Sequence, residues 1–251
     1  NHGAKLRIVG DISSAKVKSA FTSLASNWDT QGNGEVLLPP ANPVEASQVY
    51  VYDIPDAKQS VLRLERPALT ATDPDYPPAE AMNFMLGGIY TSKLNTELRV
   101  NKGYTYGIRS GFSASKDRGS FGVRSSVRTN VTKESLELIR DILSSYGPDF
   151  TEQDLQIMKD ALLRGQALKT ETLNDKLGMV NEIAAYGYPA DFKARNAAAI
   201  EAMTLEDFKA LAAAHLRPEA MRYLVVGDAE SQAARLEELG YGAPVMLNEE
   251  D

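Results

Sequence analysis

The chain contains segments with the two-residue periodicity of a strand and segments with the 3.6-residue periodicity of a helix. Residues 49–54 and 61–65 alternate between apolar and polar positions and are predicted strands. Residues 104–115 and 120–128 are predicted to form a long hairpin. In its second strand the larger apolar residues stand at alternate positions, so one face of the sheet should be buried.

Helices are predicted between and after these strands. A helix over residues 79–86 is interrupted by Gly87 and Gly88, and a second helix covers residues 91–101. Four further stripes have helical spacing: Leu136, Ile139, Leu143 and Tyr146; Leu155, Met158 and Leu162, behind the capping signal Thr151-x-x-Asp154; Leu173, Leu177, Val180 and Ala184; Leu205, Phe208 and Ala212. Because strands and helices are grouped, the predicted fold class is α+β, a two-layer sandwich of a mixed or antiparallel sheet with helices packed on one face.

The two ends of the chain carry the same local pattern. Residues 7–11 (RIVGD) match residues 224–228 (LVVGD) at an offset of 217 positions. Each is a β-branched apolar run stopped by Gly-Asp, which favours a strand followed by a turn. The first run predicts a buried strand over residues 6–9, and helical stretches follow at 14–28 and 231–239. A matched strand, turn and helix indicates a repeated unit.

This repeat predicts the domain organisation. Residues 1–28 are expected to be the C-terminal strand and helix of a preceding homologous domain. Residues 29–48, which are rich in Gly and Pro, are expected to be a linker. Residues 49–251 would then be one complete domain of the repeated type.

Composition excludes several functions. The 251 residues contain 27 Lys and Arg against 34 Asp and Glu, a net charge of −7, which argues against a nucleic-acid partner. No run of about 18 apolar residues is present, so no membrane span is expected. There is no Cys, and the two histidines, His2 and His215, lie far apart, so this chain should carry no zinc site of its own.

Other candidate motifs have simpler explanations. Two S-x-x-K matches, at Ser13 and Ser113, are expected by chance and lack their companion motifs. His215 falls in register with an apolar helical stripe near the end of that helix, so packing or a helix-dipole interaction explains it better than catalysis.

The strongest candidate for chemistry is the segment 87–107. It combines a Gly-Gly break, an amphipathic helix ending near Arg99, a tight turn at Gly103 and an aromatic strand containing Tyr104 and Tyr106. The reversal between Arg99 and Tyr106 lets a guanidinium and a phenol approach one point, as donors suited to a carbonyl oxygen or an oxyanion. From the residues alone the other explanation, in which Arg99 caps the helix and the tyrosines pack the sheet, is favoured.

Nearly the whole chain resembles the pitrilysin/insulinase zinc peptidases, which include the mitochondrial processing peptidase. The resemblance is carried by residues 57–61 (AKQSV), 73–76 (DPDY), 86–94 (LGGIYTSKL), 98–107 (LRVNKGYTYG) and 225–228 (VVGD). In this family two similar domains pair, and the catalytic one carries zinc on an H-x-x-E-H motif. This chain resembles the zinc-free partner, whose Arg and Tyr pair matches Arg99 and Tyr106, with Tyr104 as second choice.

The resemblance implies the substrate-binding, non-catalytic half of a zinc metalloendopeptidase acting on peptides or small unfolded proteins. Arg99 and Tyr106 would contact the substrate carbonyl and the tetrahedral intermediate, while zinc would sit on an H-x-x-E-H-bearing partner domain, fused or separate. One alternative is a catalytically silent structural or chaperone-like scaffold built from the same domain. Another is an independent Ser/Lys hydrolase.

Overall fold

The computed structural model describes residues 5–27, 41–168 and 171–248. The strands are β1 (Gln48–Asp53), β2 (Gln59–Pro67), β3 (Thr105–Ala114), β4 (Gly119–Arg128), β5 (Arg222–Gly227) and β6 (Val245–Leu247). The helices are α1 (Ser14–Ala20), α2 (Thr22–Asn27), α3 (Tyr76–Asn83), α4 (Lys93–Asn95), α5 (Thr132–Asp149), α6 (Glu152–Leu168), α7 (Leu173–Tyr186), α8 (Phe192–Ala202), α9 (Leu205–His215) and α10 (Ala229–Glu237).

The six strands form one mixed sheet in the order β3-β4-β2-β5-β1-β6. Strand β1 runs parallel to β5 and β6. Strand β4 lies between β3 and β2 and is antiparallel to both, and β2 is in turn antiparallel to β5. The predicted hairpin is confirmed as β3 and β4. Strand β6 has three residues and was not predicted from the sequence.

The core lies on one face of the sheet. Along β2, Ser60, Leu62 and Leu64 are fully buried while Val61 and Arg63 are exposed. Helix α5 packs against β4 and α9 packs against α5 and α3, so helices cover this face. The predicted α+β class, a mixed sheet with helices on one face, is confirmed. We refer to the opposite side of the sheet as the uncovered face.

Two helix ends differ from the predicted ones. Helix α3 continues into a π-helical turn, Phe84–Gly88, so Gly87 and Gly88 end that helix. The next helix begins only at Lys93 and finishes as a second π-helical turn, Thr96–Asn101. Wider π-helical turns of this kind are often found at functional sites.

Helix starts follow the predicted capping chemistry. At Thr151 the backbone N–H donates to Asp154 Oδ2 at 3.1 Å, and the Asp154 N–H donates to Thr151 Oγ1 at 3.2 Å, which confirms the signal read there. The same box begins α9 with Thr204 and Asp207. These caps satisfy N–H groups that the first turn leaves without partners.

The predicted strand over residues 6–9 is wrong for the described chain. These residues adopt no strand, and Leu6 and Ile8 are 61% and 42% exposed. A strand needs a neighbouring strand for its backbone groups, and the six-stranded sheet does not include this segment. The predicted helix over 14–28 is divided into α1 and α2.

The domain boundaries at 1–28, 29–48 and 49–251 stay a prediction. Residues 29–40 of the expected linker lie outside the described residues. Within the described residues, no helix is both long enough and apolar enough to cross a membrane.

Candidate functional site

A groove of about 580 Å³ lies where the uncovered face meets the segment between α3 and β3. Its polar lining includes Tyr90, Arg99, Tyr106, Arg109, Arg124 and Ser126. A larger cavity of about 780 Å³ lies elsewhere on the same face, around Tyr50, Arg63, Glu65 and Arg222, and neither Arg99 nor Tyr106 lines it. The groove, and not the larger cavity, therefore holds the residues with candidate chemistry.

Arg99 is presented by the end of a helix. It lies in the turn Thr96–Asn101, which stops at Gly103 with a φ of 62°, the left-handed conformation that glycine adopts without strain. The Gly103 N–H donates to the Arg99 carbonyl and the Tyr104 N–H to the Leu98 carbonyl, at 3.2 and 2.8 Å. These two bonds close the helix so that the chain reverses into β3.

The Arg99 side chain lies over an aromatic ring. Its guanidinium carbon is 4.5 Å from the centroid of Tyr90, within the range of a cation–π contact. Tyr90 is itself 58% exposed. The ring restricts where the guanidinium can lie and leaves its N–H groups available at the groove.

Tyr106 projects from an irregularity at the start of β3. The register with β4 shifts between Thr105 and Ile108, which lifts Tyr106 out of the regular strand. Its side chain is 89% exposed. Thr105 Oγ1 accepts from the Gly107 N–H at 3.0 Å and lies 2.7 Å from the Ser126 carbonyl oxygen. These contacts hold the irregular backbone against β4.

Asn95 connects the element that carries Arg99 to the strand that carries Tyr106. The Ile108 N–H donates to Asn95 Oδ1 at 3.1 Å, and Asn95 Nδ2 donates to the Ile108 carbonyl at 2.9 Å. The side chain is buried, so both bonds form away from water. Asn95 thus acts as a one-residue strand partner and fixes the spacing of the two halves of the groove.

A second asparagine makes a related contact two residues along β3. Asn83 Nδ2 donates to the Ser110 carbonyl at 3.0 Å, and Ser110 Oγ donates to Asn83 Oδ1 at 2.5 Å. Gly87 lies against the same point, where an added Cβ would be 2.2 Å from Ser110 Oγ. Side chains therefore occupy the outer edge of β3 at Ile108 and Ser110, and no peptide can pair with the strand there.

Of the three predicted site residues, Arg99 and Tyr106 line the same groove. Tyr104 is half-buried and is not among the lining residues. The alternative in which the tyrosines pack the sheet does not fit Tyr106, given its exposure. The catalytic-support role of Arg99 and Tyr106 stays a prediction.

The remaining motifs have structural positions. His215 ends α9, with Nε2 3.5 Å from Asp75 Oδ2 and its ring edge-on to Phe112 at 6.4 Å. Ser13 is the N-cap of α1, where its hydroxyl oxygen accepts from the Lys16 backbone N–H at 3.3 Å. Among the described residues, no group of three or more His, Asp and Glu side chains could hold a metal ion.

Sequence reasoning missed Tyr90, Asn95, Arg109 and Arg124 as site residues. The alternation of apolar and polar residues in β4 indicated that Arg124 faces away from the core. Which residues lie beside it on the neighbouring strands depends on the strand register, which the sequence does not give. Tyr90 and Asn95 are brought to the groove by the turns at both ends of α4.

The family described as the peptidase M16 inactive domain matches residues 2–162. The non-peptidase homolog YmxG of Helicobacter pylori (strain ATCC 700392 / 26695) is 26% identical over 157 residues, 61% of this chain and 36% of the relative. The probable inactive metalloprotease YmfF of Bacillus subtilis (strain 168) is 29% identical over 208 residues, 82% of this chain and 45% of the relative. The chain thus spans less than half the length of these two relatives.

Solved structures share the fold. A peptidase M16 inactive domain from Pseudomonas fluorescens superposes with a TM-score of 0.76 at 24% identity, covering 87% of this chain and 52% of that one. A protease from Helicobacter pylori gives a TM-score of 0.76 at 15% identity, covering 87% and 53%. At these identities the likeness concerns the fold alone.

The mixed six-stranded sheet with helices on one face is an α+β fold that this chain shares with peptidase M16 inactive domains. Because the family match covers residues 2–162, well over half of the 251, the chain belongs to the peptidase M16 family as its inactive domain. The predicted resemblance to the pitrilysin/insulinase zinc peptidases is confirmed.

Proposed function

We propose that this chain is the substrate-binding half of a zinc metalloendopeptidase that hydrolyses peptides or small unfolded proteins. An H-x-x-E-H-bearing domain, fused or separate, would hold the zinc, polarise the scissile carbonyl and activate water. Arg99 and Tyr106 would donate to the substrate carbonyl oxygen and to the oxyanion that replaces it.

One observation carries this proposal: Arg99 and Tyr106 open onto a single groove, and the Tyr106 phenol is 89% exposed. An exposed tyrosine keeps its hydroxyl group available to donate a hydrogen bond to a ligand. Its position beside a guanidinium held over Tyr90 supports a donor pair that contacts a ligand bound between two domains.

The test is turnover of a fluorogenic peptide by the full protein or the complex that includes the zinc-bearing half. Loss of one oxyanion donor typically lowers kcat by about 10²–10³-fold. Arg99→Ala and Tyr106→Phe are each expected to lower kcat on this scale while zinc content and the thermal midpoint stay unchanged.

Tyr104→Phe is the matched control. It also removes a tyrosine hydroxyl group, but from a side chain that lies two residues before Tyr106 and outside the groove. It should keep wild-type kcat. Full activity in both Arg99→Ala and Tyr106→Phe, with a loss in Tyr104→Phe, would reverse the residue assignment. Full activity in all three would remove the proposed role altogether.

A second candidate is a silent scaffold, in which neither paired half keeps the zinc motif. The descriptions of YmxG as a non-peptidase and of YmfF as a probable inactive metalloprotease favour it. A scaffold has no need of a donor pair such as Arg99 and Tyr106. The discriminating observation is the sequence of the partner half: an H-x-x-E-H motif there supports the peptidase, and its absence supports the scaffold.

A further inference from the structure

Three arginines stand side by side across the uncovered face. Arg63 of β2 is directly opposite Arg124 of β4, and Arg124 is directly opposite Arg109 of β3. Residues opposite one another in antiparallel strands point to the same face, with Cβ atoms about 5 Å apart. We call Arg63, Arg124 and Arg109 the arginine row. Like charges in this arrangement destabilise a sheet, so the row is a cost to the folded domain.

The protein neutralises this row only in part. Arg63 Nε forms an ion pair with Glu65 Oε2 at 2.7 Å, and Arg109 Nη1 donates to the Gly88 carbonyl at 3.1 Å. Among the described residues, Arg124, the central member, has no ion pair or hydrogen bond from its side chain. It is exposed at the groove.

Among the residues that the structure describes, no carboxylate lines the groove beside the row. Three guanidiniums, those of Arg99, Arg109 and Arg124, line it, and no Asp or Glu is among the lining residues. The whole chain has a net charge of −7, so a basic composition does not explain this cluster. The charge is concentrated where the proposed function would place a substrate.

We propose that the arginine row selects substrates by binding an acidic segment of an extended peptide. This inference rests on the proposed function and names the substrate class. Guanidinium binds carboxylate through paired, charge-assisted hydrogen bonds. Strands are about 4.8 Å apart, so the row extends about 10 Å. Two carboxylates on alternate residues of an extended chain, about 7 Å apart, fit within that length.

The closed edge of β3 supports recognition through side chains. Asn95 already occupies the N–H and C=O of Ile108, and Asn83 occupies the C=O of Ser110, which are groups that an added strand would use. A peptide at this end of the groove must therefore lie on the uncovered face, where the arginine row is the dominant chemistry.

The experiment measures binding of two fluorescein-labelled peptides to the full chain by anisotropy, one containing Glu-x-Glu and one its Gln-x-Gln isostere. The acidic peptide is expected to bind at least about tenfold more tightly at low salt, with the preference shrinking as salt rises. Arg124→Gln should remove most of this preference, and it should raise the thermal midpoint because cross-strand repulsion is relieved.

Arg128→Gln is the matched control. Arg128 lies on the same strand and the same face, but its opposite residue is Gln59 and it lies outside the groove. It should leave both the preference and the midpoint unchanged, and Arg124→Lys should keep part of the preference because the charge remains. Equal loss of preference in Arg124→Gln and Arg128→Gln would overturn the proposal, as would a lower thermal midpoint in Arg124→Gln.

Other occupants give distinct results. A single-stranded oligonucleotide of equal charge that competes as well as the acidic peptide would show a general polyanion surface and overturn the peptide assignment. A molecular mass in solution that rises with protein concentration, and that Arg124→Gln keeps at the monomer value, would show that a second copy of the chain occupies this surface. That result would also overturn the peptide assignment.

The failure of this inference is distinguishable from failure of the proposed function. In the zinc-bearing complex, the ratio of kcat/KM for the two peptides reports the arginine row, and kcat in Arg99→Ala and Tyr106→Phe reports the donor pair. If Arg124→Gln changes the kcat/KM ratio while Arg99→Ala and Tyr106→Phe keep normal kcat, only the role of the donor pair is refuted. If Arg124→Gln leaves the kcat/KM ratio unchanged while Arg99→Ala and Tyr106→Phe lower kcat, only the acidic preference is refuted.

Discussion

The two faces of the sheet have opposite chemistry although they are built from the same strands. The covered face presents Leu62, Leu64 and Val123, all at most 1% exposed. The uncovered face presents Arg63, Arg124 and their neighbours, with a groove at one end. The covered face stabilises the domain, because burying apolar area is the main favourable term in folding. The uncovered face is locally destabilised by repulsion between its arginines, and it carries the residues of the candidate site.

The largest expected effect breaks the covered face. Leu62→Ala, at a fully buried position, is expected to lower the free energy of unfolding by about 2–5 kcal/mol, from lost transfer energy and the cavity left behind. Val61→Ala, one residue earlier and 49% exposed, should change it by no more than about 0.5 kcal/mol. Urea unfolding of both variants measures the contrast. Similar losses of unfolding free energy in Leu62→Ala and Val61→Ala would mean that the uncovered face is also buried in solution.

A smaller loss of stability is expected where the Asn95 side chain holds the edge of β3. Asn95→Ala leaves the buried N–H and C=O of Ile108 without partners, at a cost of about 1–3 kcal/mol for each such group. Urea unfolding measures that loss, and hydrogen exchange should show a faster-exchanging Ile108 amide.

Asn101→Ala is the control for this change, because the exposed Asn101 donates only to Glu97. It should leave the free energy of unfolding and the Ile108 amide almost unchanged. An unchanged exchange rate in Asn95→Ala would show that Asn95 does not hold β3 in place.

The smallest expected effect is a pH dependence on the helical side. In the capping box of α9, hydrogen bonds from the hydroxyl and then the backbone N–H of Thr204 lower the pKa of Asp207 below its ordinary 3.8. A carboxyl whose pKa is depressed in the folded state contributes stability above its unfolded pKa and loses it as pH falls. This contribution is therefore full well above pH 3.8 and disappears below it.

Asp207→Asn removes that ionisation. The variant should be slightly less stable than the wild type at neutral pH, and the two unfolding midpoints should converge as pH falls below 3.8. A constant difference across the titration would mean that the carboxylate charge does not contribute. Arg128→Asn, on the uncovered face, should show no such pH dependence.

Much of the fold followed from local chemistry. The periodicities of 61–65 and 120–128 located β2 and β4, and Thr151-x-x-Asp154 located the start of α6. The segment 6–9 was mispredicted as a strand because a β-branched run shows propensity but not whether a partner strand exists. Strand β6 was missed because three residues carry too little periodicity to be recognised.

Part of the candidate site followed from the sequence in the same way. Arg99, Gly103 and Tyr106 are close in the chain, so a helix end, a left-handed glycine and a strand start let both side chains line one groove. The residues alone favoured the packing explanation, and the family resemblance singled out the pair. Arg63 and Arg109 are distant from Arg124 in sequence, and only pairing between strands makes them neighbours. No local pattern encodes that pairing.

The sequence by itself determined which side of β2 and β4 is apolar, where α6 begins, and that an Arg and a Tyr flank one tight turn. These properties depend on residues within a few positions of one another. The tertiary structure alone decided that Asn95 closes the edge of β3, that Tyr90 supports Arg99, and that three arginines share one row. Those relations depend on register and packing between distant segments, which the burial of the covered face fixes for the whole sheet at once.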